Sequence, residues 1–315
     1  MHKKISVGLC ITIAVIAIII TSIFTISITM TIYSNLVSDL PEREAMYDNI
    51  SEVDNLIRTH YIGEISGDET TKGMTDGYLG SLHEGKNYFL TADEYRQYKL
   101  RIAGKDENDE SISSIVSQKY NNAAYIRIVD FTDTTTDEFK KAYSSLKNDG
   151  VNGLSIDVRD TDSINIRCAA EIIDLIVPLA TEGTQSIATA VDKNDNNIEI
   201  FAADSSSIDI PVSVIVNEKT SGAGELLACD IRDFGKGTIV GKTTAGNGTY
   251  QKLFELSDGS AIILTVAKLL PYTSESFEGT GVKPDYENEL KKDGDELKND
   301  SQFLQAYASV NTMQK

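Results

Sequence analysis

Residues Pro211 to Gly248 read PVSVIVNEKTSGAGELLACDIRDFGKGTIVGKTTAGNG, and this stretch decides the fold. Its first six residues are mostly apolar and β-branched, a pattern that predicts a buried strand. After a polar turn at 217–220 and the small residues 221–224, apolar side chains recur at helical spacing. A strand that turns sharply into a helix through small residues presents free backbone N–H groups at the helix N-terminus. Such a corner is where proteins usually build a nucleophile or an anion site.

The order of residues across this corner resembles a known family. From Pro211 to Glu225 the chain reads Pro-x-x-Val-x-Val-Asn, two further residues, Thr, four small residues and Glu. This order is similar to the nucleophile region of the carboxyl-terminal processing (tail-specific) serine proteases, which use a Ser–Lys dyad. In that family the serine stands three positions before the glutamate. The resemblance therefore places the nucleophile position at Gly222.

A second stretch, GKTTAGNG at 241–248, resembles the family's Gly-x-x-Thr-x-Gly-Lys-Gly motif, which carries the lysine. The resemblance places the lysine position at Asn247 and the assisting glutamine at Gln251. Acyl transfer by serine needs a hydroxyl to attack and a neutral amine to accept its proton. Glycine has no side chain, and the asparagine amide is not a base. Both members of the dyad are therefore expected to be missing.

An alternative alignment, shifted by one residue, would make Ser221 the nucleophile and Lys242 its base. The match from Pro211 to Glu225 needs no gap, which disfavours such a shift. A one-residue shift on a turn also points the side chain elsewhere. Lys242 stands 21 residues after Ser221, whereas 25 residues separate the two family positions.

The segment after the strand predicted at 154–158 departs from the family as well. In the family, Asp-x-Arg is followed by Asn-x-Pro-Gly-Gly, whose glycine backbone helps to form the oxyanion hole. Here Asp157-Val-Arg159 is followed by Asp-Thr-Asp-Ser, without the proline or the glycines. The carboxylates of Asp160 and Asp162 would oppose a developing oxyanion. We expect these two side chains to be solvated rather than to bind a metal.

The N-terminal residues predict a membrane anchor. Residues 5–33 contain no charged side chain, and about 20 apolar residues suffice to cross a bilayer. Lys3 and Lys4 precede this span, and acidic residues follow it. Because positively charged residues flanking a membrane span usually stay in the cytoplasm, we expect a cytoplasmic tail at 1–4 and an extracytoplasmic main domain. A cleaved signal peptide is the competing interpretation. The apolar run is too long for one, and no Ala-x-Ala site follows it.

Residues 34–110 predict a helical cap, which also resembles that of the same family. An apolar stripe at helical spacing lies within 36–61, a second helix is expected at 70–82, and Thr91 to Glu94 reads as a capping box. His60 and His83 are expected to have packing roles. Only a short acidic linker follows at 103–117. The family usually carries a PDZ domain there, which binds the substrate C-terminus by strand addition.

The remaining chain predicts an α/β core over 111–290 and a helical tail over 291–315. Strands at 123–131 and 154–158 alternate with helices at 136–146 and 164–179, which indicates crossover units on a partly parallel sheet. Two hairpins are expected, at 186–203 and 250–268, the first closed by an Asn/Asp turn rather than a Ca²⁺ loop. The resemblance implies a core of the crotonase and Clp-protease type.

Composition excludes some classes of function. A formal net charge of -19 argues against nucleic-acid binding, which needs a basic face. The three cysteines do not form a disulfide framework. Cys10 lies in the apolar span, and Cys168 and Cys229 are expected to be packed thiols, with a bridge between them as the alternative. We expect no metal and no cofactor.

These observations favour a membrane-anchored, extracytoplasmic homologue of the tail-specific proteases that is catalytically inactive. It would bind or regulate a peptide or protein partner, and that partner could be an active paralogue of the protease. The alternative function is an active serine-type endopeptidase that cleaves protein C-termini with the displaced pair Ser221 and Lys242.

Overall fold

The computed structural model describes residues 7–37, 40–83, 85–178, 185–204, 208–294 and 296–313, with the backbone alone at 7–13 and 31–37. Contacts group the chain into two compact units, Met1–Thr70 and Thr71–Lys315. The predicted cytoplasmic tail at 1–4 lies outside the described residues. Three other predicted parts also lie outside the described residues. They are the first two residues of the predicted anchor, the end of the helix predicted to reach 179, and the last two residues of the predicted tail. The predicted domain boundaries stay predictions.

The structure contains eight α-helices within the described ranges. Their bounds are α1 Val7–Val37, α2 Leu40–His60, α3 Gly67–Gly80, α4 Ala92–Ile102, α5 Thr135–Asn148, α6 Ile166–Ile176, α7 Ala223–Asp233 and α8 Ser301–Thr312. The predicted capping box is confirmed, because Thr91 and Glu94 bond each other's backbone N–H groups at the start of α4.

The strands include several that were not predicted. Their bounds are β1 Tyr88–Leu90, β2 Ile115–Tyr120, β3 Ala123–Ile128, β4 Gly153–Asp157, β5 Asp162–Ser163, β6 Gln185–Val191, β7 Asn197–Ala203, β8 Val212–Val216, β9 Ser221–Gly222, β10 Gly237–Gly241, β11 Thr249–Glu255, β12 Ala261–Leu270 and β13 Tyr286–Glu287.

The central sheet has the order β13-β10-β8-β4-β3-β2. Strands β3, β4, β8, β10 and β13 pair in parallel, and β2 adds an antiparallel edge. Crossover helices α5, α6 and α7 connect the parallel strands, as the strand–helix alternation predicted. Ile126, Ile156 and Val214 of the central strands are fully buried, as expected for strands covered on both faces. The α/β fold class is thus confirmed. The carboxyl ends of these strands carry the candidate site.

A second, antiparallel sheet has the order β1-β12-β6-β7, and β11 also pairs with β12. Both predicted hairpins are present in it as β6–β7 and β11–β12. The Asn/Asp turn of the first hairpin is closed by the Asp192 carboxylate, which accepts the N–H groups of Asn194 and Asn196. Strand β1 lies inside the region predicted to be purely helical. Its residue Tyr88 pairs with Ile263 of β12, which is distant in the sequence. No local sequence pattern therefore indicates this strand.

The C-terminal helix α8 is joined to the end of β4 by a buried ionic network. The Arg159 guanidinium contacts Asp157 at 2.6 Å and Asp300 at 2.9 Å, and it donates to Gln302 Oε1 at 2.9 Å. Asp300 also caps α8 by accepting the Phe303 N–H. The Asp-x-Arg motif therefore has a structural role here.

Helix α1 covers most of the predicted membrane anchor at 5–33. Over the part of the chain whose side chains the structure describes, no helix combines the length and the apolar character that crossing a membrane requires.

Candidate active site

The corner predicted at Gly222 is a sharp strand-to-helix turn. Strand β8 ends at Val216, a turn leads to β9, and α7 starts at Ala223. Gly222 has φ 62° and ψ −108°, a backbone conformation that glycine adopts freely and other residues adopt only under strain. Strained turns of this kind carry the nucleophile in serine hydrolases. The conformation at the predicted nucleophile position is therefore the one that such a residue needs, but the side chain is absent.

Glu225 holds the two predicted dyad positions together. Its side chain is fully buried. It accepts the N–H of Gly222 at 2.9 Å, of Gly246 at 2.6 Å and of Asn247 at 2.7 Å, and it also accepts the hydroxyl of Thr244. One carboxylate thus fixes the start of α7 against the loop at 241–248. The sequence motif included this glutamate, but it gave no signal of this role.

Asn247 lies beside the position from which a nucleophile would project. Its Nδ2 atom is 3.6 Å from the point where a β-carbon on Gly222 would stand. Its Oδ1 atom accepts the Thr249 hydroxyl at 2.8 Å, and the residue is 4% exposed. The structure therefore brings the two predicted positions together. An amide at this distance can donate a hydrogen bond, but it cannot take a proton from a hydroxyl.

The segment after β4 occupies the space in front of Gly222. Strands β5 and β9 pair in parallel, with Ser163 opposite Gly222. The Ser221 N–H donates to Thr161 O at 2.8 Å. A β-carbon added to Gly222 would stand well inside van der Waals distance of the Ser163 carbonyl oxygen. A side chain at position 222 would therefore need the segment that carries Ser163 to move away.

The displaced pair proposed from the sequence is not brought together. Lys242 lies at the end of β10, where its Nζ contacts Glu289 at 2.8 Å. This hydrogen bond raises the pKa of Lys242 above its ordinary value, so the lysine is charged at neutral pH. Ser221 is 1% exposed, and its partner is a different lysine.

That partner is Lys86, which the sequence analysis did not identify. Lys86 Nζ donates to Ser221 Oγ at 3.1 Å and contacts Asp162 at 3.5 Å. Gln251, at the predicted position of the assisting glutamine, donates its side-chain amide to the backbone carbonyl of Lys86. Ser221 and Lys86 are 135 residues apart in sequence. No motif or spacing in the sequence indicates that these two residues meet.

A cavity of about 230 Å³ lies beside these residues. It is lined by the apolar side chains of four residues and by the polar residues Tyr88, Tyr98, Arg101, Asp162, Ser163, Asn247 and Gln251. Gln251 Oε1 is buried and has no hydrogen-bond partner in the part of the chain that the structure describes. Burial raises the pKa of Tyr88 and Tyr98, so both phenols are neutral at physiological pH. The cavity thus combines an unused acceptor with phenol and guanidinium donors.

The predicted cysteines are free thiols. Cys168 and Cys229 are both buried and unbridged. Burial raises the pKa of Cys168 to about 11 and of Cys229 to about 12. The disulfide alternative is therefore wrong in this structure.

Comparison with known proteins places these features in a family. The model of peptidase family S41 matches residues 122–288, more than half of the chain. A carboxyl-terminal-processing protease of Synechocystis is 31% identical over 164 residues, covering 52% of this chain and 37% of that protein. The carboxy-terminal processing protease CtpA of Bacillus subtilis is 31% identical over 230 residues, covering 70% of this chain and 47% of that protein. The chain thus spans less than half the length of these two relatives.

Among solved structures, a lipoprotein from Streptococcus agalactiae aligns with a TM-score of 0.59 at 15% identity. The alignment covers 79% of this chain and 84% of that one. This likeness shows that the fold is shared.

Proposed function

Because the chain belongs to peptidase family S41, we propose that it is a pseudoprotease, which keeps the peptidase fold to bind or regulate a peptide or protein without hydrolysing it. One observation carries the proposal. The residue at the expected nucleophile position is Gly222, and the side chain nearest to a β-carbon built there is the amide of Asn247. Loss of a nucleophile costs several powers of ten in rate.

The surroundings of Gly222 support inactivity independently of the missing side chains. The pairing of β5 with β9 directs the Ser163 carbonyl oxygen at the space that a nucleophile would fill. Asp162 adds a carboxylate to the same segment. Electrostatic stabilisation of an oxyanion is usually the largest single contribution to acyl transfer. Here the segment presents a carbonyl oxygen and a carboxylate, whose negative charge would destabilise an oxyanion.

A binding role is supported by the cavity next to Asn247. An extended peptide offers N–H donors and C=O acceptors along its backbone. The unpartnered Gln251 Oε1 can accept a hydrogen bond from a peptide N–H group. The phenol hydroxyls of Tyr88 and Tyr98 can donate to peptide carbonyl oxygens. Concave sites with a few convergent polar groups among apolar walls are typical of ligand sites. We therefore assign the partner's contact to this cavity.

The proposal includes an anchor at residues 5–33 with the main domain outside the cytoplasm. Its support is the uncharged sequence of that span and the two lysines that precede it. Carbonate extraction of membranes tests the anchor, and protease protection of intact cells tests the orientation. Full release by carbonate would overturn the anchor without affecting the proposal about activity.

Two measurements on the purified protein test the pseudoprotease proposal. We expect no cleavage of a peptide library by mass spectrometry, and no labelling by a fluorophosphonate. A photo-crosslinking amino acid at Tyr98 in the cavity is expected to capture a partner in cells, whereas the same substitution at the exposed Tyr286 is not. Peptide cleavage that is abolished by Ser221→Ala but kept by Asn247→Ala would overturn the proposal.

A second candidate is an active peptidase that uses Ser221 with Lys86 as the base. The 3.1 Å contact between these side chains favours it. Two observations weigh against it, since Ser221 is almost fully buried and the Lys86 ammonium also pairs with the Asp162 carboxylate at 3.5 Å. Fluorophosphonate labelling that disappears in Lys86→Met and persists in Lys242→Met would select this candidate.

A third possibility is that the partner is an active paralogue of the same family. Native mass spectrometry of the protein purified from membranes distinguishes it. A hetero-oligomer would support this partner, and a monomer without companions would oppose it.

A further inference from the structure

A cluster of potential metal ligands lies at the C-terminal end of α7, the helix that begins beside Gly222. Cys229, Asp230 and Asp233 each offer one ligand atom, and these atoms lie within 4.8 Å of one another. Asp233 is four positions after Cys229 and three after Asp230, and both spacings bring side chains together on a helix surface. The acyl-transfer site does not involve any of the three.

The burial of the cluster distinguishes it from an ordinary acidic surface patch. Asp230 is fully buried and Cys229 is 2% exposed. Asp230 Oδ1 accepts the Tyr272 N–H at 3.0 Å. Asp230 Oδ2 is buried and has no hydrogen-bond partner anywhere in the described ranges. Buried polar atoms of native proteins are almost always paired, so an unpaired carboxylate oxygen inside a set of ligand atoms is an open coordination position.

We propose that Cys229, Asp230 and Asp233 bind a divalent transition-metal ion of the Zn²⁺ type. A thiolate with two carboxylates suits Zn²⁺ or Co²⁺, whereas Mg²⁺ and Ca²⁺ prefer sets of oxygen ligands alone. Three protein ligands leave the fourth tetrahedral position to water. Asp233 is partly exposed and provides the route from solvent. Binding releases the Cys229 thiol proton, and the Asp230 proton where it is present, to solvent.

The ion would link the C-terminal end of α7 to the loop that follows β12. Asp230 already accepts the N–H of Tyr272, and Asp233 accepts the N–H groups of Thr273 and Ser274. The Ser274 hydroxyl donates to Asp233 Oδ1 at 2.6 Å. Because the same carboxylates would bind the metal and the loop, the ion would stabilise one end of the helix whose other end forms the Gly222 corner.

A simpler account is that Asp230 is a buried acid without a metal. Burial raises the pKa of Asp230 well above its ordinary value, which keeps an isolated side chain protonated. This account predicts no spectroscopic signal from added metal and no stabilisation by it. The two accounts can therefore be separated directly.

The test is titration of the purified, metal-stripped protein with Co²⁺, followed by optical spectroscopy. We expect a thiolate-to-cobalt charge-transfer band with visible d–d bands, saturating at one ion per chain and displaced by Zn²⁺. Cys229→Ser is expected to abolish the charge-transfer band. Cys168→Ser is the matched control, because Cys168 is also buried but contacts the hydroxyl of Thr136 instead of a carboxyl pair.

Thermal unfolding gives a second measurement that does not depend on Cys229→Ser folding well. Zn²⁺ is expected to raise the melting temperature of the native chain and to leave that of Asp233→Asn unchanged. Absence of a charge-transfer band in the native protein, or a band that persists in Cys229→Ser, would overturn the metal site. None of these outcomes depends on whether the protein hydrolyses peptides.

Discussion

Asn247 Nδ2 lies 3.6 Å from the point where a β-carbon on Gly222 would stand, and the buried carboxylate of Glu225 holds both residues through their backbone N–H groups. One carboxylate therefore holds the two expected dyad positions side by side, and the residues there offer neither a hydroxyl nor an amine. A scaffold of this kind explains how the sequence keeps the motif's spacing without its chemistry.

The first prediction concerns the space in front of Gly222. Gly222→Ala and Gly235→Ala both place a β-carbon on a residue with φ above +60°, which costs about 1–2 kcal/mol. At Gly235 nothing lies within 4 Å of the added atom, whereas at Gly222 it meets the Ser163 carbonyl oxygen. Overpacking of this kind adds about 1–3 kcal/mol. Urea unfolding should therefore show a clearly larger loss for Gly222→Ala.

Equal losses for the two alanine variants would contradict this prediction. They would mean that the β5 segment moves aside easily and does not close the site.

The second prediction concerns the buried network between β4 and α8. Arg159→Met leaves the carboxylates of Asp157 and Asp300 buried without their cation, and breaking such a pair costs about 3–5 kcal/mol. Arg127→Met is the matched control. Arg127 pairs with Asp160 at 3.4 Å in partly exposed positions, where a pair is worth about 0–1 kcal/mol. Denaturant unfolding measures both, and a similar loss for the two variants would refute the buried role.

The third prediction is a pH dependence at the start of α4. The Thr91 backbone N–H and hydroxyl lower the pKa of Glu94 below its ordinary value of 4.5. Since the folded-state pKa is the lower one, the ionised side chain stabilises the protein above pH 4.5 and this contribution is lost as the pH falls through the folded-state pKa. The difference in unfolding free energy between the native chain and Glu94→Gln should therefore shrink as the pH falls from 6 toward 3, roughly over the range of carboxyl titration.

Glu107→Gln, in an exposed turn, controls for the loss of one negative charge. Thr91→Ala should cost about 1 kcal/mol at pH 7, as expected for an N-cap residue. A difference for Glu94→Gln that stays constant across this pH range would show that the carboxylate does not stabilise the cap.

The sequence predicted those elements whose signal is local. Strand β8 and helix α7 follow from a β-branched run and from apolar residues at helical spacing, and Leu226, Leu227 and Ile231 are all fully buried. The positions of Gly222 and Asn247 in the two motifs predicted that these residues lie close together. The identities of the residues at the two expected dyad positions are read directly from the sequence, and the inactivity inferred from them stays a prediction.

The sequence did not predict features that depend on contacts between distant segments. Strand β1 exists because Tyr88 to Leu90 pairs with β12, and a three-residue strand has no period of its own. Lys86 contacts Ser221 because that strand brings the cap segment to the corner, which no local pattern signals. Lys242 is a candidate base only under the alignment shifted by one residue. In the structure it lies at the end of β10 and pairs with Glu289.

The final prediction is that restoring the dyad alone does not restore hydrolysis. In Gly222→Ser/Asn247→Lys the hydroxyl and the amine return, but the Ser163 carbonyl oxygen still crowds the β-carbon of residue 222, and the segment after Arg159 still lacks the glycines expected to help form an oxyanion hole. Loss of a single donor already lowers kcat about 10²–10³-fold. Peptide cleavage and fluorophosphonate labelling should both stay at background.

Adding Asp160→Gly and Asp162→Gly to that double variant should raise the labelling rate. Asp160 already has φ 63°, so glycine fits its backbone, and the two changes remove both carboxylates from the segment. Hydrolysis by the double variant without these changes would instead mean that the segment opens readily. The two missing side chains would then be the whole cause of inactivity, and the occlusion seen at Gly222 would play no part in it.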